Sequence, residues 1–320
     1  MKKLRHLGPR MSSVPLRIMA IAGLLLGSLA GSLAATTAAW ALPAQPNNDY
    51  SFYVLTTSAS TGYNEGCDAG TWDANHGDIN ANVFLDFGGQ NSAGNGTILI
   101  NGTGMSDSQV EAYAEQAAVG YYVCTGADTT STLFLSVGTN NSAYDVSKSG
   151  GETWAGVSNA VANYVTANAG QVGVWGGDDI EPSFGGASAA IAWAQGFTAS
   201  SDSLFLDYGS ADGCNQTSYN NSGCNNGWDQ YDEWYVSYGS PAAVSAPEIY
   251  VTAQAWQWAR ISEYGAHYQG EEIFFEGPLD EHDLNTSTLT AAQAWTDMWN
   301  DNNSAGVGQT PPFSLEVHDG

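Results

Sequence analysis

QVGVWGGDDIEPSF, residues 171–184, is a short apolar run that breaks at two glycines into three carboxylates and a proline. Val172, Val174 and Trp175 read as a buried strand that stops at Gly176 and Gly177, leaving Asp178, Asp179 and Glu181 at its carboxyl end. Pro182 has no N–H with which to continue a ladder. In α/β folds, ligands and catalytic groups gather at the carboxyl ends of parallel strands, so acids there are stronger candidates for chemistry than acids on a helix surface.

Similar phrases recur on either side. VFLDFG (83–88), LFLSVG (133–138) and LFLDYG (204–209) share an apolar run, a small polar residue, one more apolar residue and glycine, and IFFEG (273–277) is a looser echo. Continuous apolar runs of this kind suit parallel strands buried on both faces. Tyr50–Thr57 reads as a first strand followed by a long polar loop through Asn64, Glu65, Cys67, Asp68, Asp73 and His76, and the EIYVTAQAW run around Ile249 reads as another strand. Helical spacing appears between them. Ser106 and Gln109 form a capping box before 106–123, 152–168 ends at Gly170, and 187–197, the segment around Tyr231–Tyr238 and a Thr290-capped segment past Trp299 follow.

Seven strands alternating with helices predict parallel pairing with right-handed crossovers. The expected fold is α/β, a (β/α)8 TIM-barrel-like single domain, irregular in that its eighth strand is not evident. No Gly-x-Gly-x-x-Gly follows the first strand and no Walker sequence occurs, which counts against the common nucleotide-binding open sheets.

Residues 1–41 read as a signal peptide. Lys2, Lys3, Arg5, Arg10 and Arg17 form a basic head, Ile18–Ala35 is mostly apolar, and Ala39-Trp40-Ala41 is a small-x-small cleavage pattern. The domain is then 42–320, secreted, extracellular and free of the membrane after cleavage. Five of the 7 Lys and Arg lie in the leader, so 42–320 carries Lys148 and Arg260 against 33 Asp and Glu, a net charge of 2 − 33 = −31. Such a surface repels phosphate backbones and anionic lipid, which counts heavily against nucleic-acid and membrane-surface roles, and it points to neutral rather than polyanionic ligands. The 4 cysteines suit two disulfides in an oxidising compartment, Cys214 with Cys224 and Cys67 with Cys124. Neither zinc spacing nor a cofactor motif is present, and a monomer is expected.

Adjacent parallel strands would bring Asp86, Ser136, Asp179, Glu181, Asp207, Gln257 and Glu276 into one ring at their carboxyl ends. Asp179 and Glu181, two apart, would share a face, and paired carboxylates raise one pKa, as a general acid requires. Here the residues resemble known families. Asp179-Ile180-Glu181 resembles the Asp-x-Glu of barrel-type muramidases and, more distantly, the tail of the chitinase motif, and the longer Asp-Ile-Glu-Pro-Ser resembles a phrase in uncharacterised secreted actinobacterial-type proteins. That resemblance implies Glu181 as proton donor, with Asp179 steering its protonation. Ile180-Glu181-Pro182 and Phe275-Glu276-Gly277 are also similar to the retaining barrel glycosidases, whose acid/base ends strand four and whose nucleophile ends strand seven. The chain departs from that pattern at Ile180, where the clan has asparagine, and Gly177 occupies a position where the chitinase motif has aspartate.

Plainer roles compete for several of these residues. Asp86 and Asp207 could cap the next helix or bind loop amides, Asp280-Glu281-His282-Asp283 reads as a solvated turn rather than a metal cluster, and the acids around Asp68, Asp73 and Asp78 lack the periodicity of a calcium loop. His76, His267 and His318 have no evident partner. Among 11 tryptophans, Trp175, Trp256 and Trp258 lie on or after predicted strands where a ring could stack on sugar, and Tyr208 could join them. Trp154, Trp193, Trp234, Trp295 and Trp299 lie on helices and are expected to pack. The expected function is a glycoside hydrolase with Glu181 as acid and Asp179, Asp207 or Glu276 as its partner, substrate contacts falling to Trp175, Tyr208, Trp256, Trp258 and Asp86. The alternatives are a non-catalytic glycan-binding barrel and a metal-dependent hydrolase using Asp179, Glu181 and His282.

Overall fold

The computed structural model describes residues 41–77, 80–126, 130–142 and 146–320. The signal-peptide segment with Trp40, and Asp78, lie outside them. Leu42–Gly320 forms one compact unit, and no helix among the described residues is long and apolar enough to cross a membrane.

The chain alternates strands and helices: β1 (Asn48–Tyr53), α1 (Ala59–His76), β2 (Asn80–Gln90), β3 (Gly96–Ile98), β4 (Gly104–Ser106), α2 (Asp107–Cys124), β5 (Thr132–Asn140), α3 (Lys148–Asn168), β6 (Val172–Asp179), α4 (Ala187–Ser200), β7 (Phe205–Asp207), α5 (Gln230–Trp234), β8 (Ala243–Ser245), α6 (Thr252–Tyr264), β9 (Leu279–Asp280), α7 (Ala291–Ala305) and β10 (Ser314–Asp319). Among the described residues eight strands pair side by side in the order β8-β7-β6-β5-β2-β1-β10-β9, every step parallel. The β3–β4 hairpin is attached antiparallel to the end of β2. The ladder is open between β8 and β9, but isolated parallel bridges, Ser245 with Phe275 and Glu248 with Leu279, cross that seam. Ile249 N–H donates to Leu279 O at 2.9 Å and Leu279 N–H to Pro247 O at 2.8 Å, so the sheet curls until its two ends meet.

The curl buries two kinds of side chain. Its inner face carries Phe84, Leu206, Tyr208, Leu279, Phe313, Leu315 and Val317, and its outer face packs on the helices through Phe87, Tyr113, Trp154, Trp193, Phe197 and Phe205. Gly176 and Gly177 permit this on β6. A Cβ on Gly176 would sit 2.4 Å from the Phe197 ring outside, and one on Gly177 would sit 3.0 Å from Tyr208 inside.

Several sequence expectations need correction. The polar loop after β1 is helix α1, which lies against α2 through glycines at helical spacing and is tied to it by the Cys67–Cys124 disulfide. Asp73 therefore faces the Tyr121 hydroxyl from a helix and is no part of a loop. The strand expected around Ile249 is displaced: β8 ends at Ser245, and Thr252 onward is α6, started by the Gln254 side chain, which accepts from the Tyr250 and Val251 N–H groups. The seventh parallel strand in chain order is β9, just after the IFFEG phrase, and the eighth is β10, which pairs with β1. Cys214–Cys224 is bonded as expected.

Candidate active site

The segment after β6 is held by backbone and side-chain bonds. Ile180 is fully buried and anchors it in the helix-side core, while Asn141 clamps Glu181 at both ends, its Oδ1 accepting from Glu181 N–H at 3.1 Å and its Nδ2 donating to Glu181 O at 3.3 Å. Asn226 donates to Pro182 O at 2.7 Å and Trp228 to Gly185 O at 2.7 Å. Asp179 and Glu181 are thereby turned the same way, into a cavity of about 540 Å³ at the carboxyl end of the strands.

Among the described residues five carboxylates line that cavity: Asp86 from β2, Asp179 and Glu181 from the end of β6, Glu248 after β8 and Glu281 after β9. Tyr53, Tyr250, Asn140 and Ser142 complete the polar wall, and Ile98, Leu99, Ile100 and Phe184 form an apolar one. None of the described lining residues is lysine or arginine. The phenols pair with two of the acids: Tyr250 donates to Glu248 Oε1 at 2.6 Å, and Tyr53 donates to Glu281 Oε1. Asp86 Oδ1 accepts from Gly88 N–H at 2.6 Å, where a φ of +70° and an approach to Ile98 demand glycine.

Carboxylate oxygens of Asp179, Glu181 and Glu248 all lie within 4.8 Å of one another. Three acids so placed cannot all stay ionised away from water. Burial, then the charges of Glu248 and Glu181, hold Asp179 well above the usual carboxylate range. Burial, then Glu181, does the same to Glu248, which hydrogen-bonds Glu181. Glu181, itself 9% exposed, is raised chiefly by burial, and burial also lifts Asp86 to about 6. The trio can therefore hold and pass a proton, and its oxygens are close enough to share a small cation.

The other expected site residues lie elsewhere. Asp207 faces away from the cavity: it is the register partner of Asp178, whereas Gly177, which shares the face of Asp179, pairs with Leu206. It is fully buried and accepts from Ser237 Oγ and from Gly209 N–H at 3.4 Å. Glu276 precedes β9 and does not line the cavity; burial alone raises it to about 7. Ser136 lies deeper in the sheet, and Gln257 sits on α6, donating to Cys214 O at 3.0 Å.

Nor do the candidate stacking rings reach it. Trp175 stacks on Phe134 inside the curl with centroids 4.7 Å apart, on the amino-terminal side of the acids. Tyr208 lies beneath them, stacked on Phe84 at 4.3 Å and donating to Thr139 O at 2.7 Å. Trp258 is buried on α6 against Phe275, and Trp256 lines a separate 270 Å³ groove with Gln216, Thr217 and Arg260, whose guanidinium lies 4.8 Å from its centroid. His282 is exposed and outside the lining, while Asp280 and Glu281 beside it are buried rather than solvated.

Tyr53, Glu248, Tyr250 and Glu281 are cavity residues that sequence reading did not single out. The signal for Glu248 was Ala246-Pro247, a strand stop like Glu181-Pro182, here read as the start of a strand. Glu281 was concealed among neighbouring acids.

No protein-family model matches the chain, and no curated protein sequence matches it. Among solved structures it is similar to a protein described as a mandelate racemase/muconate lactonizing enzyme from Labrenzia alexandrii, at 12% identity and a TM-score of 0.40 over 84% of this chain and 53% of that one. It is similar also to the endo-1,4-beta-mannanase of Rhizomucor miehei, at 12% identity and a TM-score of 0.37 over 87% of each chain. The chain spans about half the length of the first, and likenesses this distant carry no argument about its activity.

Proposed function

We propose that this chain is a secreted glycoside hydrolase on an irregular (β/α)8 barrel, with Glu181 as general acid and Glu281 as nucleophile. One observation carries the reading: the carboxyls that follow the fourth and seventh parallel strands in chain order line the same acid-rich cavity. This is the strand placement of the retaining barrel glycosidases that the sequence resembles, with Glu281 taking the role first expected of Glu276. The basic-apolar leader and the two disulfides support export.

In the first step the Glu281 carboxylate attacks the anomeric carbon as the glycosidic C–O bond breaks, and the Glu181 proton goes to the departing oxygen, releasing an alcohol. The Glu181 carboxylate then takes a proton from water as the water oxygen attacks the anomeric carbon. The bond to Glu281 breaks, the free sugar leaves and both carboxyls return to their starting states. Burial favours the protonated form of Glu181 before the first step, and its contact with Glu248 holds a proton between the two. Tyr53 fixes the Glu281 carboxylate by hydrogen bonding.

A second reading, a glycan-binding barrel without turnover, is favoured by Ile180, which is buried and offers the ligand no polar group beside Glu181. Product release from a panel of oligosaccharides separates the two. Hydrolysis by the wild type, its loss in Glu181→Gln and Glu281→Gln at unchanged Tm, and formation of a glycosyl azide by Glu281→Ala with azide support the enzyme. Binding without any released product supports the module.

A further inference from the structure

We infer that the cavity selects glycans bearing protonated amino groups, with Asp179 and Glu248 receiving a sugar ammonium beside the bond that Glu181 protonates. The inference rests on the glycoside hydrolase reading and names its substrate class.

Overall charge pointed to neutral ligands, but the lining of the cavity is more specific than the average surface. Five carboxylates converge there with no lysine or arginine among the described lining residues. The two fixed cations of 42–320 are engaged elsewhere: Lys148 lies 3.9 Å from Glu152, and Arg260 pairs with Glu263 over the Trp256 ring. The protein therefore supplies no counter-charge to this cluster from its own side chains among the described residues. A cationic ligand would be drawn in and a polyanion repelled.

Hydrogen bonding singles out the place. Asp86, Glu248 and Glu281 each have a donor, from Gly88, Tyr250 and Tyr53. Asp179 is 6% exposed and lines the cavity, while its Oδ1, closed off behind the lining, has no hydrogen-bond partner among the described residues, which leaves the exposed edge of the carboxyl to the ligand. Crowding holds protons on this cluster; an entering ammonium would let Asp179 and Glu248 ionise and release those protons, whereas a neutral sugar hydroxyl would leave their mutual repulsion standing. An ammonium brings charge and three donors together.

The dimensions agree. Oxygens up to 4.8 Å apart are bridged by one nitrogen making two contacts of about 2.8 Å at an angle close to tetrahedral. On a 2-amino sugar that nitrogen is borne by the carbon next to the anomeric centre, so it lies beside the glycosidic oxygen. A carboxyl serving the oxygen and carboxylates serving the nitrogen must then crowd together, as Glu181 does with Asp179 and Glu248. The apolar wall of Ile98, Leu99, Ile100 and Phe184 is left for the C–H face of the ring.

The test uses matched probes: glucosamine, N-acetylglucosamine and glucose, with galactosamine, N-acetylgalactosamine and galactose as a second series, titrated calorimetrically into Glu181→Gln protein while the amines are protonated. At least one amino sugar should bind about ten- to a hundredfold tighter than its acetylated and neutral counterparts, weaken with added salt, and lose its advantage in Asp179→Asn. Equal binding within both series, no binding in either, or a preference indifferent to Asp179→Asn and to salt would overturn the inference. So would tight, Asp179-dependent calcium binding with no amino-sugar preference, which would make the cluster a metal site. Hydrolysis of the matching oligosaccharides by the wild type keeps the two readings apart. Neutral or acetylated chains cut as fast as amino chains overturn the amine selectivity and leave the hydrolase standing. Amino-sugar binding with no chain cut overturns the hydrolase and leaves the selectivity.

Discussion

Tyr53 donates its hydroxyl to the Glu281 carboxylate, joining the end of β1 to the end of β9 across the intervening strand β10. A phenol bonded to a carboxylate fixes the orientation of the free oxygen, which in the proposed mechanism attacks the anomeric carbon. Tyr53→Phe removes that bond while keeping the ring. It should lower kcat about 10- to 100-fold with little change in KM, the cost of one hydrogen bond to a charged group. Steady-state rates on any cleaved substrate check this, and a kcat within twofold of wild type would show that Glu281 is oriented without Tyr53.

Asp86 and Asp207 occupy the same place in VFLDFG and LFLDYG yet face opposite ways. Leu85 is level with Val137, Val137 with Gly176, and Gly176 with Phe205, so the second phrase is shifted by one residue and every side chain changes face. Asp86→Asn should therefore cost at least about tenfold in kcat/KM, whereas Asp207→Asn should leave kcat/KM within about threefold and act on stability instead. Parallel measurement of rate and Tm on both variants decides it, and equal kinetic losses would contradict the assignment of faces.

The outer face carries its own acids. Asp178 and Asp207 are register partners, and Glu233 of α5 and Ser237 of the following turn face them. Burial, then neighbouring carboxylates, pushes Asp178 and Glu233 well up, and burial moves Asp207 to about 7. Glu65, Glu316 and Asp301 are likewise raised to about 7, chiefly by burial. A raised carboxyl pKa means that the native state binds more protons than the unfolded chain between about pH 4 and pH 7, so stability is present below that window and falls as pH rises through it. Tm should be about 5 °C or more higher at pH 5 than at pH 8. Glu233→Gln, which removes a buried charge with both oxygens unpartnered, should raise Tm at pH 8 more than at pH 5. A Tm that climbs with pH would refute this.

What could be read in the sequence followed from local pattern. VFLDFG, LFLSVG and QVGVWGG are strands because long apolar runs between helices leave little alternative, and Ser106 and Thr290 start helices through their capping partners. Position at a strand end also brought Asp179 and Glu181 to the cavity. Long-range pairing was not legible: β8 is only three residues long, and Glu248 reaches the site because it bridges Leu279 across the seam beyond it, and neither run is apolar enough to announce itself. Trp175, a residue on the expected inner face, was misjudged because depth along a strand is invisible without the register that sets it beside Ser136.

The helix read as a loop yields the last prediction. Gly62, Gly66 and Gly70 meet Tyr113, Ala117 and Tyr121, each pair 51 residues apart (113 − 62, 117 − 66, 121 − 70), so α1 and α2 run parallel in constant register. Contact is backbone to side-chain-free backbone, and a Cβ on Gly66 would stand 1.9 Å from Ala117 O. The same approach buries Glu65 against the Tyr113 hydroxyl at 2.6 Å and Asp73 against that of Tyr121 at 2.8 Å. Gly66→Ala would normally favour a helix by up to about 1 kcal/mol, but here the helices must separate, breaking both tyrosine–carboxyl bonds and straining the neighbouring Cys67–Cys124 link. The net effect should be a loss of about 3 kcal/mol or more. Opening the disulfide alone, which closes a 57-residue span, should cost about 4 kcal/mol by loop entropy. Denaturant unfolding of Gly66→Ala and of Cys67→Ser/Cys124→Ser measures both. A Gly66→Ala protein as stable as the parent would mean that α1 does not lie against α2 as described, and with it would go the explanation of why a run so rich in glycine and polar residues is helical at all.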